Sequence, residues 1–268
     1  MSDLPDTKNL DLELAGGWLT VWLNRPKARN ALSAGMIEEL IAVLESVRDD
    51  RGVRGITFRG RAGIFCAGGD VKGFRAVFQD GGQSADDVAA ASRRGGELFA
   101  LVDSMPQVVV MLVEGAAVAG GLGMVCGGDV VVVTRDARFA LTEARLGIPP
   151  AQIAPYVVRR IGLAAARRIM LTAAEFDGAG AKEIGIADFL ANDADELETL
   201  EAVIRADVLR CAPGAIAVTK ELARAAVHLD AEAMTDLAAR RFAECMLGEE
   251  GREGVAAFVE KRKPGWSP

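Results

Sequence analysis

The chain contains few of the side chains from which many catalytic centres are built. Among its 268 residues there is one histidine, His228, and aromatic residues make up only 5%. A Ser–His–Asp or Cys–His centre needs a histidine beside its nucleophile, and a histidine-based zinc centre needs several. The sequence therefore argues against these classes of site, and we interpret His228 as a structural residue.

Cysteine is also scarce, and its four positions lie far apart, at Cys66, Cys126, Cys211 and Cys245. No interval between them has the paired spacing of a metal or redox site, so we expect free thiols and no metal. Free thiols fit a reducing compartment. Residues 1–6 are acidic and lack the basic start and apolar centre of a secretion signal, so we expect a cytoplasmic protein.

The chain has neither an excess of positive charge nor a long uncharged apolar run. Its formal net charge is −7, which argues against general binding of nucleic acid. The most apolar region, residues 108–133, contains Glu114 and Asp129 with 14 uncharged residues between them. A helix that crosses a bilayer needs roughly 20. We therefore expect neither nucleic acid nor membrane as a partner.

Two short glycine-rich stretches, Phe65–Asp70 and Ala119–Gly123, are the most informative features present. Each follows an apolar run typical of a buried strand, and each leads into a segment with helical character. A strand that turns into a helix leaves backbone N–H groups without partners, and two such groups can stabilise an oxyanion. We assign Ala67 and Gly120 as candidate donors. The alternative is that both turns only permit close packing of a helix against a strand.

A carboxylate for proton transfer is offered by Glu143. Thr142 is suited to cap a short helix that would begin here, which would put Glu143 in its first turn. We expect Glu143 to act as a general acid–base in a mostly apolar cleft. The alternative is a carboxylate that only stabilises the start of the helix.

The order of the predicted elements indicates an α/β fold. Alternating residues at 10–14 and 18–23 flank Gly16-Gly17 and predict a hairpin. Ser33 then begins a helix, and repeated strand–helix units predict parallel strands with helices outside. From Ala194 onward the pattern is helical and too apolar to stand alone, so a neighbouring subunit is expected to cover it. We divide the chain into a core, residues 1–193, and a helical oligomerisation region, residues 194–268.

Four segments resemble motifs of the crotonase family, also called the enoyl-CoA hydratase/isomerase family. They are Asn24–Pro26 with Asn30–Leu32, Ala67–Asp70, Gly120–Gly123 and Phe258–Arg262. The resemblance runs nearly end to end. It implies a spiral of repeated β-β-α turns followed by a helical trimerisation region, in a homotrimer or a dimer of trimers.

The resemblance also implies a substrate and a site. The substrate is an acyl-CoA thioester, so coenzyme A enters as part of the substrate and no separate cofactor is expected. Ala67 and Gly120 donate to the thioester oxygen, and Glu143 moves the proton. The residues that the resemblance implies for CoA binding are Lys27, Ala28, Gly68, Gly69, Asp70, Val71, Phe258 and Lys261. Phe74 is a candidate to line an acyl pocket, because it recurs at helical spacing with Val77 and Phe78 after the first glycine turn. The alternative for Phe74 is packing in the core.

One position departs from the family pattern. Hydratases of the two-glutamate type carry a second acid three residues after the oxyanion glycine, where this chain has Gly123. Residues 147–157 resemble bacterial hydratases of 3-branched glutaconyl-CoA esters, which often lack that glutamate. The resemblance favours isohexenylglutaconyl-CoA of acyclic terpene breakdown, and then 3-methylglutaconyl-CoA of leucine breakdown. Arg75 and Arg145 are candidates to bind the distal carboxylate.

Three other interpretations use the same residues. An enoyl-CoA isomerase would use Glu143 alone to move a proton between the α and γ carbons. A non-catalytic acyl-CoA-binding protein would use the site without chemistry. A dinucleotide-binding turn at Gly120 is disfavoured, because the G-x-G-x-x-G spacing is not met and no acid ends the strand at 130–133.

Overall fold

A computed structural model describes residues 4–70 and 84–268, which fold around two β-sheets. The strands are β1 (Leu10–Ala15), β2 (Trp18–Leu23), β3 (Gly55–Gly60), β4 (Val108–Val113), β5 (Ala116–Val118), β6 (Val130–Thr134), β7 (Arg138–Ala140), β8 (Phe176–Asp177) and β9 (Phe189–Ala191). The helices are α1 (Ala34–Val47), α2 (Ala85–Ser104), α3 (Gly120–Cys126), α4 (Ala154–Thr172), α5 (Gly178–Glu183), α6 (Ala194–Leu209), α7 (Pro213–Ala225), α8 (Ala231–Leu247) and α9 (Glu249–Glu260). Three 3₁₀ turns lie at Pro26–Ala28, Arg61–Gly63 and Glu143–Leu146.

The larger sheet has the strand order β1-β2-β3-β4-β6-β9. Its first pair is the predicted antiparallel hairpin, in which Gly16 and Gly17 adopt φ of 58° and 73°, and the other pairs are parallel. Positive φ at both central residues gives the turn the twist that a two-residue hairpin needs. The smaller sheet has the order β5-β7-β8.

Helices cover both faces of the larger sheet, and β4 shows why. Its alternate residues Val109 and Met111 belong to the main core, while Val110 and Leu112 pack in a second cluster on the opposite face. Successive side chains of a strand point to opposite faces, so an apolar strand such as β4 is stable only when both faces are buried.

On the main core side, α1 packs through its apolar stripe, which includes Met36, Leu40 and Leu44. The predicted start of α1 is confirmed, because the Ser33 side chain accepts a hydrogen bond from the Met36 N–H at 3.3 Å.

The region after Ala194 is helical, as predicted, but its first helix shares a core with the sheet. Leu197, Ile204 and Val208 of α6 pack on the second face of the larger sheet. The division of the chain at residue 194 therefore stays a prediction. By contrast, α8 has no buried residue in this chain, and Phe242 on it is 70% exposed.

Among the helices of residues 4–70 and 84–268, none is both long enough and apolar enough to cross a bilayer.

Candidate active site

The segment around Cys66 and the strands β5 and β7 run side by side and end at one edge of the smaller sheet. Cys66 forms a parallel bridge with Ala117 of β5, and β5 pairs in parallel with β7. The Val118 N–H donates to the Cys66 carbonyl at 2.9 Å, and the Ala119 N–H donates to the Ala140 carbonyl at 2.8 Å. Because parallel segments end at the same edge, the two glycine-rich turns and the turn that follows β7 emerge together.

The structure corrects the assignment of Ala67 as an oxyanion donor. Its backbone N–H donates to the carbonyl oxygen of Arg29 at 3.0 Å. Arg29 and Asn30 both adopt the left-handed conformation, with φ of 52° and 55°, in the turn that brings this carbonyl to Ala67. The Ala67 N–H is therefore occupied by a partner that is distant in sequence, which local patterns do not reveal.

The neighbouring Gly69 offers an N–H group in its place. Leu32 bridges this segment by donating to the Gly68 carbonyl at 2.8 Å and accepting from the Asp70 N–H at 3.1 Å. Alternate N–H groups of an extended chain point in opposite directions, so the Gly69 N–H points away from Leu32. It has no hydrogen-bond partner within the described part of the chain.

Gly120 contributes the second unpaired donor. It is the first residue of α3, where helix geometry leaves the N–H without an intrahelical acceptor. No other acceptor for it lies among residues 4–70 and 84–268. A Cβ built on Gly120 would lie 3.9 Å from the Gly69 nitrogen. The two unpaired donors are thus Gly69 and Gly120, which lie beside each other.

Close packing explains two other glycines of these turns. Gly68 has φ of 95°, and a Cβ there would lie 2.8 Å from the Ala119 Cβ. A Cβ on Gly121 would lie 2.5 Å from the Cys66 carbonyl oxygen. The packing interpretation therefore holds for Gly68 and Gly121. It does not hold for Gly120, where a Cβ would make only ordinary contacts.

Glu143 opens the 3₁₀ turn after β7, as the sequence suggested, but Thr142 makes no side-chain cap there. The Glu143 Oε2 is buried and has no hydrogen-bond partner within the described residues. Burial raises the pKa of this carboxyl group, and a hydrogen bond from its own backbone N–H offsets part of the rise. A partly desolvated carboxylate with one oxygen unpaired among the described residues is suited to accept a proton.

An apolar side chain fills the space beside Gly123, the position at which the family resemblance leads one to expect a second acid. A Cβ on Gly123 would lie 2.1 Å from Cγ2 of Ile153. Ile153 is 3% exposed and immediately precedes α4. Sequence reasoning missed this contact, because no local signal links a helical glycine to an isoleucine 30 residues later.

Other apolar side chains beside Gly120 were also missed. Leu32 Cδ1 and Phe99 Cζ would lie 3.5 and 3.7 Å from a Cβ on Gly120. The Phe99 ring in turn contacts Tyr156, with ring centroids 6.2 Å apart. Leu32, Phe99 of α2 and Tyr156 of α4 therefore form an apolar surface beside the N–H groups of Gly69 and Gly120.

Several predicted CoA-binding residues do group near the first glycine turn. Lys27 and Ala28 form the 3₁₀ turn that leads into Arg29, and Lys27 is exposed. Asp70, which follows Gly68 and Gly69, accepts a hydrogen bond from Arg25 at 3.0 Å. Val71 and Phe74 lie outside the described residues.

Phe258 and Lys261 are not brought to this edge within one chain. They lie at the end of α9, and Phe258 is 86% exposed. The tail beyond them is held where β3 begins, since Arg54 donates to the Trp266 carbonyl at 3.1 Å. The first glycine turn lies beyond the other end of β3, about 17–20 Å away for a strand of this length. Their role in binding CoA stays a prediction.

Arg145, proposed to bind a distal carboxylate, is engaged elsewhere. Its guanidinium donates to Glu175 at 2.8 Å and to the Ala173 carbonyl at 2.7 Å, at the protein surface. Arg75 lies outside the described residues.

Within residues 4–70 and 84–268 there is no group of three or more His, Cys, Asp or Glu side chains arranged to hold an ion.

Nearly the whole chain matches a protein-family model. A model described as enoyl-CoA hydratase/isomerase matches residues 13–268. The chain therefore belongs to the enoyl-CoA hydratase/isomerase family, whose members act on acyl-CoA thioesters, and it is an enzyme of the hydratase/isomerase type.

Individual relatives agree with this assignment. The solved structure of Pseudomonas aeruginosa AtuE has a TM-score of 0.94 and 48% identity, covering 97% of this chain and 100% of that one. An enoyl-CoA hydratase/isomerase from Marinobacter aquaeolei has a TM-score of 0.93 and 37% identity, covering 97% and 99%. Enoyl-CoA hydratase EchA19 of Mycobacterium tuberculosis is 31% identical over 266 residues, 94% of each chain. The predicted crotonase-type α/β fold is confirmed.

Proposed function

We propose that this enzyme adds water across the 2,3 double bond of a 3-branched glutaconyl-CoA thioester. Isohexenylglutaconyl-CoA is the favoured substrate and 3-methylglutaconyl-CoA the next, in acyclic terpene or leucine breakdown respectively. The observation that carries the hydration step is the half-buried Glu143 carboxyl group, whose Oε2 has no partner among the described residues, in the turn beside two unpaired N–H donors. The choice of acyl group is supported by the resemblance of residues 147–157 to hydratases of such esters.

In this mechanism the thioester oxygen accepts hydrogen bonds from the N–H groups of Gly69 and Gly120. Water attacks the β-carbon, and the electron pair of the double bond moves onto that oxygen as an enolate. Removing one donor of this kind typically raises the barrier by about 3–4 kcal/mol. Gly69 thus takes the role that sequence reasoning gave to Ala67, whose N–H is bound to Arg29.

Glu143 carries the proton. Its carboxylate removes a proton from the attacking water as the new C–O bond forms. The same proton then passes to the α-carbon when the enolate collapses, so that one water molecule is added overall. Burial raises the pKa of Glu143, which makes the carboxylate a stronger base than an exposed glutamate.

A panel of three glutaconyl-CoA esters, with hydrogen, methyl or isohexenyl at carbon 3, tests the substrate. Loss of the enoyl-thioester absorbance measures hydration, and we expect the branched esters to react faster. Glu143→Gln is expected to lower kcat about 10²–10⁴-fold, the usual contribution of a general base. Glu175→Gln, an exposed glutamate paired with Arg145, is the matched control. If neither branched ester reacts while another 2-enoyl thioester does, the substrate proposal fails and hydration stands.

A second candidate activity, isomerisation of the double bond, is favoured by the single carboxylate. Ile153 occupies the place of the second acid, and a shuttle between the α and γ carbons needs only Glu143. Assays of 3-enoyl and 2-enoyl thioesters in parallel separate the two reactions. A non-catalytic binding protein would instead show the same background rate for the wild type and for Glu143→Gln.

The proposed assembly is a homotrimer or a dimer of trimers. Phe242, Leu247 and Phe258 on α8 and α9 are each more than two-thirds exposed, which is unfavourable for large apolar side chains in water. Contact of Phe258 or Lys261 with CoA would then involve the site of another copy. Sedimentation equilibrium of the wild type and of Phe242→Ser tests this proposal, and a wild type that remains a monomer at micromolar concentration contradicts it.

We further propose the cytoplasm as the site of action. Burial raises the pKa of the Cys66 thiol to about 11 and that of Cys126 to about 12, which keeps both groups as unreactive thiols. Fractionation of cells that produce the protein, with detection by antibody, tests this location.

A further inference from the structure

The side chain of Ile153, in the position it holds, leaves no room for a side chain at position 123. Gly123 lies one helical turn after Gly120, on the same face of α3. A Cβ on Gly123 would lie 2.1 Å from Cγ2, 2.5 Å from Cβ and 3.2 Å from Cδ1 of Ile153. A Cβ atom essentially never lies closer than 3.0 Å to a heavy atom of a residue that is distant along the chain. A side chain at position 123 therefore requires Ile153 to move.

Ile153 is held firmly in this position. It is 3% exposed, and it belongs to the main core. Its carbonyl oxygen accepts hydrogen bonds from the N–H groups of Tyr156 and Val157, at 3.0 and 3.1 Å, so its backbone is part of the start of α4. The segment before it leads back to Glu143, whose carbonyl accepts from the Ile148 N–H at 3.2 Å. Displacing Ile153 would disturb the turn that carries Glu143.

We propose that Ile153 is a positioning residue that keeps a second carboxylate out of the reaction centre, so that Glu143 alone performs both proton transfers. This inference rests on the proposed hydration. Glu143 takes one proton from water as the C–O bond forms and returns it to the α-carbon, so no second donor is needed. Gly123 supplies no titrating group, and Ile153 fills the space that the side chain of such a group would need.

Among residues 4–70 and 84–268, no charged side chain shifts the titration of Glu143. Its pKa is raised by burial and lowered by its own backbone N–H, and no side-chain charge contributes among the described residues. Arg145 in the same turn is paired with Glu175. On α4, Tyr156 contacts Arg159, which pairs with Asp103. The dependence of kcat/KM on pH should therefore show one acidic limb, from Glu143.

The test compares the wild type with Gly123→Glu, Ile153→Gly and the double variant. Ile153→Ala is unsuitable, because the Cβ of residue 153 itself would lie 2.5 Å from the new Cβ at 123. Glycine is well tolerated at the position before a helix. Thermal midpoints and kcat/KM between pH 4 and pH 9 are measured for each protein, with a branched ester and an unbranched 2-enoyl thioester.

We expect Gly123→Glu alone to lower the midpoint and the yield of folded protein, and the double variant to recover both. The double variant should also show a second titrating limb and hydrate the unbranched thioester at least about tenfold faster than Ile153→Gly. A wild-type midpoint for Gly123→Glu overturns the inference. The inference is also overturned if the double variant folds but shows one titrating limb and hydrates the unbranched thioester no faster than Ile153→Gly.

If the double variant does not fold, Gly123→Ala with and without Ile153→Gly provides a second test. We expect the two changes to couple, so that Gly123→Ala costs less stability when Ile153 is already glycine. Additive losses overturn the inference. Should the wild type hydrate no enoyl thioester, the proposed function fails, while the midpoints still report on the exclusion by Ile153.

Discussion

The backbone N–H of Ala119 donates to the carbonyl oxygen of Ala140 at 2.8 Å. Gly120 follows the donor directly, and Glu143 lies three residues after the acceptor. This one hydrogen bond therefore couples the position of the unpaired Gly120 N–H group to that of the half-buried Glu143 carboxylate. Ala119 adopts φ of 51° and ψ of −124°, which is unfavourable for a residue with a Cβ. Strain of this kind is commonly found at functional sites.

The first prediction concerns the effect of Glu143→Gln on stability. Burial raises the pKa of Glu143 above its ordinary value of 4.5. Between the ordinary and the raised value, the folded protein binds more protons than the unfolded chain, so stability falls as pH rises through that window. Glutamine removes this cost. We expect a higher thermal midpoint for Glu143→Gln at pH 7, and no gain below about pH 4, where the carboxyl group is protonated in both states.

Calorimetry from pH 4 to pH 8 measures this difference. Glu175→Gln is the control, because Glu175 is exposed and is paired with Arg145. A Glu143→Gln variant that is less stable than the wild type at neutral pH would contradict a destabilising burial of the carboxylate.

The second prediction compares neighbouring glycines of α3. A Cβ on Gly121 would lie 2.5 Å from the Cys66 carbonyl oxygen, whereas a Cβ on Gly120 would lie 3.5 Å from its nearest contact, Leu32. Overpacking costs about 1–3 kcal/mol. We expect Gly121→Ala to lower the free energy of unfolding by that amount in urea titrations. Gly120→Ala should change it by less than about 0.5 kcal/mol.

The variants Gly120→Ala and Gly121→Ala should also separate an effect on activity from an effect on stability. Gly120→Ala adds a methyl group beside the two unpaired donors, 3.9 Å from the Gly69 nitrogen. We expect it to reduce kcat/KM despite its near-normal stability. Equal losses of stability in Gly120→Ala and Gly121→Ala would show that the close approach of Gly121 to the Cys66 carbonyl does not determine the cost of a side chain in α3.

The third prediction concerns Asn30, which is fully buried. Its side chain accepts from the Arg25 N–H at 2.8 Å and donates to the carbonyls of Arg61 and Ile64 at 3.0 and 2.6 Å. Its φ of 55° suits asparagine better than alanine. We expect Asn30→Ala to lower the free energy of unfolding by about 2–4 kcal/mol, from the lost hydrogen bonds and the backbone strain.

Asn192→Ala is the control for this change. Asn192 is exposed, and its side chain bonds only to Glu196 among the described residues. Its replacement should shift the free energy by less than about 0.5 kcal/mol. Similar shifts in the two variants, measured by urea denaturation, would mean that the turn around Asn30 contributes no special stability.

The fourth prediction concerns the thiols. Cys66 and Cys126 are buried, with their pKa values raised to about 11 and about 12, whereas Cys211 is exposed. Reaction requires the thiolate form and access to the reagent. We expect a disulfide reagent at pH 8 to modify Cys211 quickly in the native protein and to reach Cys66 and Cys126 only after unfolding. Peptide mapping by mass spectrometry identifies the modified sites, and rapid native labelling of Cys66 contradicts the burial.

Patterns confined to neighbouring residues were sufficient for the larger part of the fold. Gly16-Gly17 marks the hairpin, Ser33 marks the start of α1, and the apolar runs mark the strands. Each depends on turn chemistry or on the period of side chains along one element, so it can be recognised in a short stretch of sequence. The glycine-rich turns and Glu143 were found in the same way.

Tertiary structure alone decided which backbone groups remain free. Ala67 and Gly69 lie in the same turn, and only the approach of Arg29 shows that the first N–H is occupied. Likewise, the missing acid at Gly123 is visible in the sequence, but its replacement by the Ile153 side chain is not. Composition and periodicity determine which elements form. The partners of a particular N–H or the filling of a particular space depend on chain segments far apart in sequence, whose approach is set by packing of the whole core.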